Sequence, residues 1–208
     1  MAQTSPPKPL RGFEDIRRTW HYAYKKYGAR IMPGEYYVTR NDELIATTLG
    51  SCVSACIRDP DTKIGGMNHF MLPFKGQGDA AMDASASSRY GNFAMEHMIN
   101  DILKNGGRRE NLEVKVFGGG NVLPSMTAVG TKNVNFVRDY LVTEGFEISA
   151  EDLGGPYPRK VVYFPESGRV LMQRVAMSRR DEEEITRREI EYRNSLESKP
   201  VGGEIDLF

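Results

Sequence analysis

Two cysteines and three histidines carry most of the nucleophilic and proton-transfer chemistry this chain can offer: Cys52, Cys56, His21, His69 and His97. Cys52 and Cys56 lie in an apolar run, Leu44 to Ile57, and His69 lies in a second run, Ile64 to Leu72. Between them Arg58-Asp59-Pro60-Asp61-Thr62-Lys63 has the composition of a turn. A turn centred between Pro60 and Asp61 pairs residues whose numbers sum to about 121, which sets Cys52 directly opposite His69 in an antiparallel hairpin. An imidazole at that spacing accepts a thiol proton, and the resulting thiolate attacks a carbonyl. Cys56 would face Gly65, has no base, and reads as a core residue. Gly50-Ser51, just before Cys52, leaves room for an amide and lets backbone N–H groups reach a developing oxyanion. Gly118-Gly119-Gly120 either lines the same pocket or makes a tight strand exit; it fits neither a dinucleotide fingerprint nor a phosphate loop.

The bland alternatives are specific. Buried free cysteine is usually inert, and one slip or bulge near Gly50 or Gly65-Gly66 moves every side chain beyond it. A disulfide is excluded on a straight strand, where residues four apart are separated by about 13 Å. Three scattered histidines and no close cysteine pair give little support to a zinc site, and no cofactor is expected.

The chain has 208 residues, 28 basic and 28 acidic, for a formal net charge of zero. With 39% hydrophobic residues and a mean hydropathy of -0.50, it reads as one globular domain able to fold without metal or disulfides. Even charge argues against a basic nucleic-acid surface. No apolar run approaches the roughly 20 residues that span a bilayer, and the first residues lack a signal-peptide pattern; a cytoplasmic protein is expected.

Residues 1–32, rich in proline and then in aromatics and bases, read as an N-terminal flank. Residues 33–176 read as the catalytic domain and 177–208 as a charged tail. Within the domain, strands are predicted at Glu35–Val38, Leu44–Ile57, Ile64–Leu72, Leu112–Phe117 and Phe146–Ser149. A hairpin is predicted from Lys160–Phe164 and Arg169–Val175 around Pro165-Glu166-Ser167-Gly168. Phe74–Ser87 reads as a loop. Met95, Met98, Ile99, Ile102 and Leu103 form one apolar face of a helix over Ser88–Asn105, and Val134, Val137 and Leu141 one face of a helix over Lys132–Thr143. The segment Ser178–Lys199, with seven acids and six bases, reads as a solvated helix or a partly disordered tail. The pattern predicts an α/β fold, a compact layered sandwich with a mixed, largely antiparallel sheet and a cross-strand Cys-His pair.

Leu49-Gly50-Ser51-Cys52-Val53, Gly65-Gly66-Met67-Asn68-His69-Phe70-Met71-Leu72-Pro73, Phe117-Gly118-Gly119-Gly120-Asn121 and Ala150-Glu151-Asp152-Leu153-Gly154-Gly155 closely resemble, in order, the chemoreceptor glutamine deamidase family, CheD. The resemblance covers about residues 33 to 176. It implies a protein-glutamine glutaminase that converts chosen glutamines in the cytoplasmic helices of methyl-accepting chemotaxis receptors to glutamate and ammonia, with Cys52 as nucleophile and His69 as base. Some members also bind a CheC-type phosphatase. The family's third catalytic residue is a threonine six residues before the cysteine, within Thr-Leu-Gly-Leu-Gly-Ser-Cys. Here that position is Ala46, and the segment looks one residue shorter. Matching the motif with one residue removed selects Thr47; strict strand alternation from Cys52 selects Thr48 instead. The resemblance, matched in this way, implies Thr47 as the third catalytic residue. The rival readings are another cysteine hydrolase, such as an amidase or protease, and a non-catalytic receptor-binding protein in which Cys52 is structural.

Overall fold

The apolar run from Leu44 to Ile57 is broken by Gly50-Ser51-Cys52, and its two halves belong to different sheets. The computed structural model describes residues 5–73, 80–122, 127–175 and 179–198. In chain order the elements are β1 (Arg18–His21), β2 (Lys26–Arg30), β3 (Tyr36–Thr39), β4 (Leu44–Leu49), β5 (Val53–Arg58), β6 (Gly65–Asn68), α1 (Ala80–Lys104), β7 (Glu113–Gly118), α2 (Thr127–Thr143), β8 (Ile148–Leu153), β9 (Arg159–Phe164), β10 (Arg169–Arg174) and α3 (Arg179–Ser198). One sheet has the order β1-β2-β4-β9-β10 and the other β3-β6-β5-β7-β8. Pairing is antiparallel except at β2–β4 and β7–β8. The predicted α/β sandwich with a mixed, mostly antiparallel arrangement is what the structure shows.

Burial follows from the layering. The two sheets meet through β7 and β9, while α1 packs on β3, β5 and β6, and α2 on β5. Strand β5 is therefore covered on both faces, and Val53, Ser54, Ala55, Cys56 and Ile57 are all buried. Small residues fit this crowded position, and the Ser54 hydroxyl is satisfied by the Asn68 carbonyl at 2.5 Å. Met95, Met98, Ile99 and Ile102 form the buried face of α1, as their spacing predicts. That helix ends where Gly106 takes φ +105° and the Gly107 N–H donates to the Ile102 carbonyl.

Several boundaries differ from the sequence reading. Residues 80–87 are helical rather than loop, because the alanines among them favour helix; residues 74–79 of that loop lie outside the described residues. Residues 18–30, read as flank, supply β1 and β2, and Phe13, Ala29 and Ile31 join the core. The tail segment forms α3. The predicted hairpin over β9 and β10 is present, with Arg169 opposite Phe164.

The β5–β6 register needs correction. Cys56 faces Met67, Ile57 faces Gly66, and an isolated bridge joins Val53 to Phe70. Cys52 thus falls opposite Met71 and His69 opposite Ser54, so the two are not direct cross-strand partners. The cause is the turn. The Asp59 carboxylate accepts from the N–H groups of Asp61 and Thr62, Lys63 takes φ +60°, and the centre moves to lie between Asp61 and Thr62. That displaces the register by two residues, an even slip that preserves faces. Diagonal neighbours in a regular ladder lie about 7–8 Å apart, still within reach of long side chains.

Gly118 closes β7 against the turn before β5. It has φ +113°, and a Cβ there would lie 2.2 Å from the Cys52 carbonyl oxygen. Gly118→Ala is expected to lose more than the ~1–3 kcal/mol of an unfavourable backbone conformation alone, measured by urea unfolding. Gly106→Ala, at φ +105° with nothing within 4 Å, isolates the backbone cost and should be the milder of the two. Equal losses would contradict this packing role.

Candidate active site

The turn Gly50-Ser51-Cys52 is fixed from behind through its carbonyls. The Gly50 oxygen accepts from the Gly120 N–H at 2.8 Å and the Cys52 oxygen from the Gly119 N–H at 2.7 Å. The Ser51 oxygen accepts from the Asn133 side-chain amide at 2.8 Å, and the Asn133 carbonyl oxygen in turn accepts from the Leu72 N–H at 2.8 Å. The glycine triplet is thus both a tight strand exit and a wall of the site. With its carbonyls held inward, the turn directs its N–H groups to the other side. Those of Gly50, Ser51 and Cys52 donate to the Glu189 carboxylate at 3.1, 2.8 and 3.2 Å, and the Ser51 hydroxyl adds a bond of 2.6 Å. Such a concavity of backbone donors is an anion site.

His69 is held on its other side by Thr47. The Thr47 hydroxyl lies 2.7 Å from His69 Nδ1 and 2.8 Å from the Ile31 carbonyl oxygen. A hydroxyl has one proton, and the carbonyl can only accept, so that proton goes to Ile31 and Nδ1–H donates to Thr47. The neutral imidazole then carries its bare lone pair on Nε2, which is buried and has no hydrogen-bond partner among the described residues. Main-chain bonds to residues 34 and 35 fix the histidine: the His69 N–H donates to the Glu35 carbonyl, and its carbonyl accepts from the Gly34 N–H.

Thr47, not Thr48, makes this contact. Along β4, Ile45, Thr47 and Leu49 are buried and Ala46 and Thr48 half-buried, so Thr47 faces the interior with the core residues. Alternation counted back from Cys52 fails because the chain changes sheet at residues 50–52.

Burial sets the protonation states. Cys52 and His69 are 0% and 2% exposed. The Cys52 thiol is pushed well up, first by burial and then by the Glu189 charge. Burial pushes His69 down to about 3. The pair is therefore a neutral thiol and a neutral imidazole as it stands. Burial also raises Cys56, which faces Met67 and Lys115 across the ladder and sits in the core. Both cysteines are free. Among the described residues no cluster of three or more His, Cys, Asp or Glu is arranged to hold a metal, and no helix is long and apolar enough to cross a membrane.

Two site residues escaped the sequence reading. Asn133 lies one and two helical repeats before Val137 and Leu141, and all three are buried; an amide in line with an apolar stripe was the available signal. Glu189 is one of seven acids in a charged segment, and nothing in its local pattern separates it from the others.

A sequence model of the family described as CheD chemotactic sensory transduction matches residues 71–174. A probable chemoreceptor glutamine deamidase CheD from Hahella chejuensis is 50% identical over 203 residues, covering 98% of this chain and 95% of its own length. The protein of the same description from Halorhodospira halophila is 50% identical over 208 residues, covering 97% and 94%. That from Saccharophagus degradans is 43% identical over 212 residues, covering 100% and 95%.

The buried imidazole has a pH signature. In the unfolded chain it gains its proton near the ordinary 6.5, and in the folded protein only near 3. Between these values the unfolded state binds more protons, so stability rises with pH across the window and is lost as pH falls through it. His69→Gln removes that contribution, and its urea-unfolding profile should be flatter than wild type between about pH 6.5 and about pH 4. Parallel profiles would place the histidine in water.

Proposed function

The chain belongs to the CheD family of chemoreceptor glutamine deamidases, and from that premise we propose how its own residues carry the reaction. It is a cysteine-dependent protein-glutamine deamidase acting on chemoreceptor glutamines. Cys52 is the proposed nucleophile, His69 the general base and Thr47 the residue that positions the imidazole. The observation that carries this assignment is the hydrogen-bond order around His69: Nδ1–H is committed to Thr47, whose own proton is committed to Ile31, and Nε2 is left bare.

The chemistry follows from those roles. His69 Nε2 takes the Cys52 proton, and the thiolate attacks the side-chain carbonyl carbon of glutamine. Charge moves to the carbonyl oxygen, which the N–H groups of residues 50–52 are oriented to receive. The tetrahedral species collapses with cleavage of the C–N bond. The imidazolium gives its proton to the departing nitrogen, and ammonia leaves a thioester on Cys52. Water, deprotonated by His69, attacks the thioester carbon; the C–S bond breaks and the thiol is restored. The products are glutamate and ammonia, without backbone cleavage, which separates this activity from that of a protease. The family resemblance supports the cytoplasmic helices of methyl-accepting receptors as the substrate surface and a CheC-type phosphatase as a second, regulatory partner.

The test is deamidation of a receptor cytoplasmic fragment, followed by ammonia release and peptide mapping. Cys52→Ala is expected to abolish conversion, and His69→Ala to lower it by roughly 10²–10⁴-fold. Thr47→Val, which keeps the branched shape and removes the hydroxyl, should cost clearly more than Thr48→Val. Cys56→Ala should keep turnover. Near-normal turnover by His69→Ala would overturn the mechanism.

A further inference from the structure

A nucleophile that is 0% exposed cannot meet a glutamine carried on another protein. Something over it must move, and the structure identifies the cover as α3. Ile185, Glu189 and Tyr192, spaced by four and three residues, lie on one face of that helix and contact the site. Two glycines make room for them. A Cβ on Gly50 would meet Glu189 Oε1 at 2.7 Å and Ile185 Cγ2 at 2.8 Å, and a Cβ on Gly34 would meet the Tyr192 ring at 2.6 Å. The Tyr192 hydroxyl also bonds that of Tyr90 from α1. Outside this stripe α3 is largely charged, and its i,i+4 ion pairs, Arg187–Glu191 and Arg188–Glu184, are internal to the helix. Ion pairs of this kind hold a helix together without binding it to anything else.

The group that α3 inserts has the chemistry of the reaction product. Glutamate is what deamidation leaves. The Glu189 carboxylate is 2% exposed and receives the N–H groups of Gly50, Ser51 and Cys52 together with the Ser51 hydroxyl. Among the described residues no Lys or Arg pairs with it. A buried carboxylate balanced only by neutral donors needs a site built for negative charge. Next to a nucleophilic cysteine, such donors are suited to the oxygen of a tetrahedral intermediate.

From these contacts we infer that α3 sits in the seat of the substrate helix, with Glu189 as a built-in product analogue in the oxyanion site. This inference rests on the deamidase reading and extends it. The N–H groups of residues 50–52 are the oxyanion donors. The surface of Gly34, Gly50 and Tyr90 beneath α3 is the docking surface for a receptor helix. That helix must displace α3 to place its glutamine side chain where Glu189 now lies. Until it does, the neighbouring carboxylate opposes the thiolate, so the closed form is both covered and electrostatically off. Displacement uncovers Cys52 and withdraws the negative charge in one movement.

Substitutions in the full-length protein test this. Glu189→Ala removes the inserted carboxylate, and Glu191→Ala, on the exposed side of the same helix, is the control. If the open state is a minor population of about 0.1–10%, Glu189→Ala should speed both receptor-fragment deamidation and Cys52 alkylation by iodoacetamide by about tenfold or more. Glu191→Ala should match wild type, and thermal melting checks that each variant is folded. Glu189→Gln supplies a sharper readout, because it places an amide in the proposed product position. Peptide mapping should find that amide converted to the acid when Cys52 is present and unchanged in the double variant with Cys52→Ala. If wild type converts receptor glutamines while Glu189→Ala is no faster and its thiol no more reactive, the inference fails and the deamidase reading stands. If no protein converts any receptor glutamine, the deamidase reading fails and takes the inference with it. Alkylation, which needs no substrate, distinguishes the two failures.

Discussion

The site depends on the way three consecutive peptide units, at Gly50, Ser51 and Cys52, are polarised by their surroundings. Their carbonyls are tied inward, to the N–H groups of Gly119 and Gly120 and to Asn133. Their N–H groups converge outward on a single carboxylate. A free loop would turn these donors toward water, where their directional effect is lost. Here the inward bonds fix the orientation before any ligand arrives, which is the condition for electrostatic stabilisation without reorganisation. The glycines follow from this constraint: Gly118 and Gly119 have positive φ and approach neighbouring backbone or side chains within 2.2 Å of a hypothetical Cβ.

The same turn carries the chain from one sheet to the other, and the residues of the proposed site are thereby drawn from both. Thr47 comes from β4 in the first sheet; Cys52 precedes β5 and His69 follows β6 in the second. The Thr47–His69 bond therefore spans the interface between the sheets. It couples packing to protonation: as long as the sheets stay in contact, the imidazole tautomer is fixed by the carbonyl of Ile31 two bonds away. In a site built this way the base and the turn are held by hydrogen bonds within the two sheets and to α2, and the part inferred to move is the charged helix laid over it.

Much of this was legible in the sequence, for identifiable reasons. Strongly periodic segments gave α1 its buried face of Met95, Met98, Ile99 and Ile102, and turn chemistry gave the β9–β10 hairpin. The motif comparison selected Thr47 where strand counting selected Thr48, because counting presumed a straight strand through residues 50–52. The Cys52–His69 register was misread by two residues, since Asp59 caps the turn and shifts its centre; an even slip kept both residues on one side of the hairpin. Glu189 was not legible at all. Its role is set by the seat of α3 on Gly34 and Gly50, a contact between segments more than a hundred residues apart, and its local sequence resembles any solvated acidic surface.

The proposed reaction turns on a covalent bond between Cys52 and the glutamine side-chain carbon. Acid quenching during turnover of a receptor cytoplasmic fragment, followed by mass analysis of the linked peptides, tests it most directly. A receptor peptide joined through a former glutamine side chain to the Cys52 peptide as a hydroxylamine-sensitive thioester is expected, with none on Cys56. Ammonia release at the normal rate by a folded Cys52→Ala protein would rule out the covalent route.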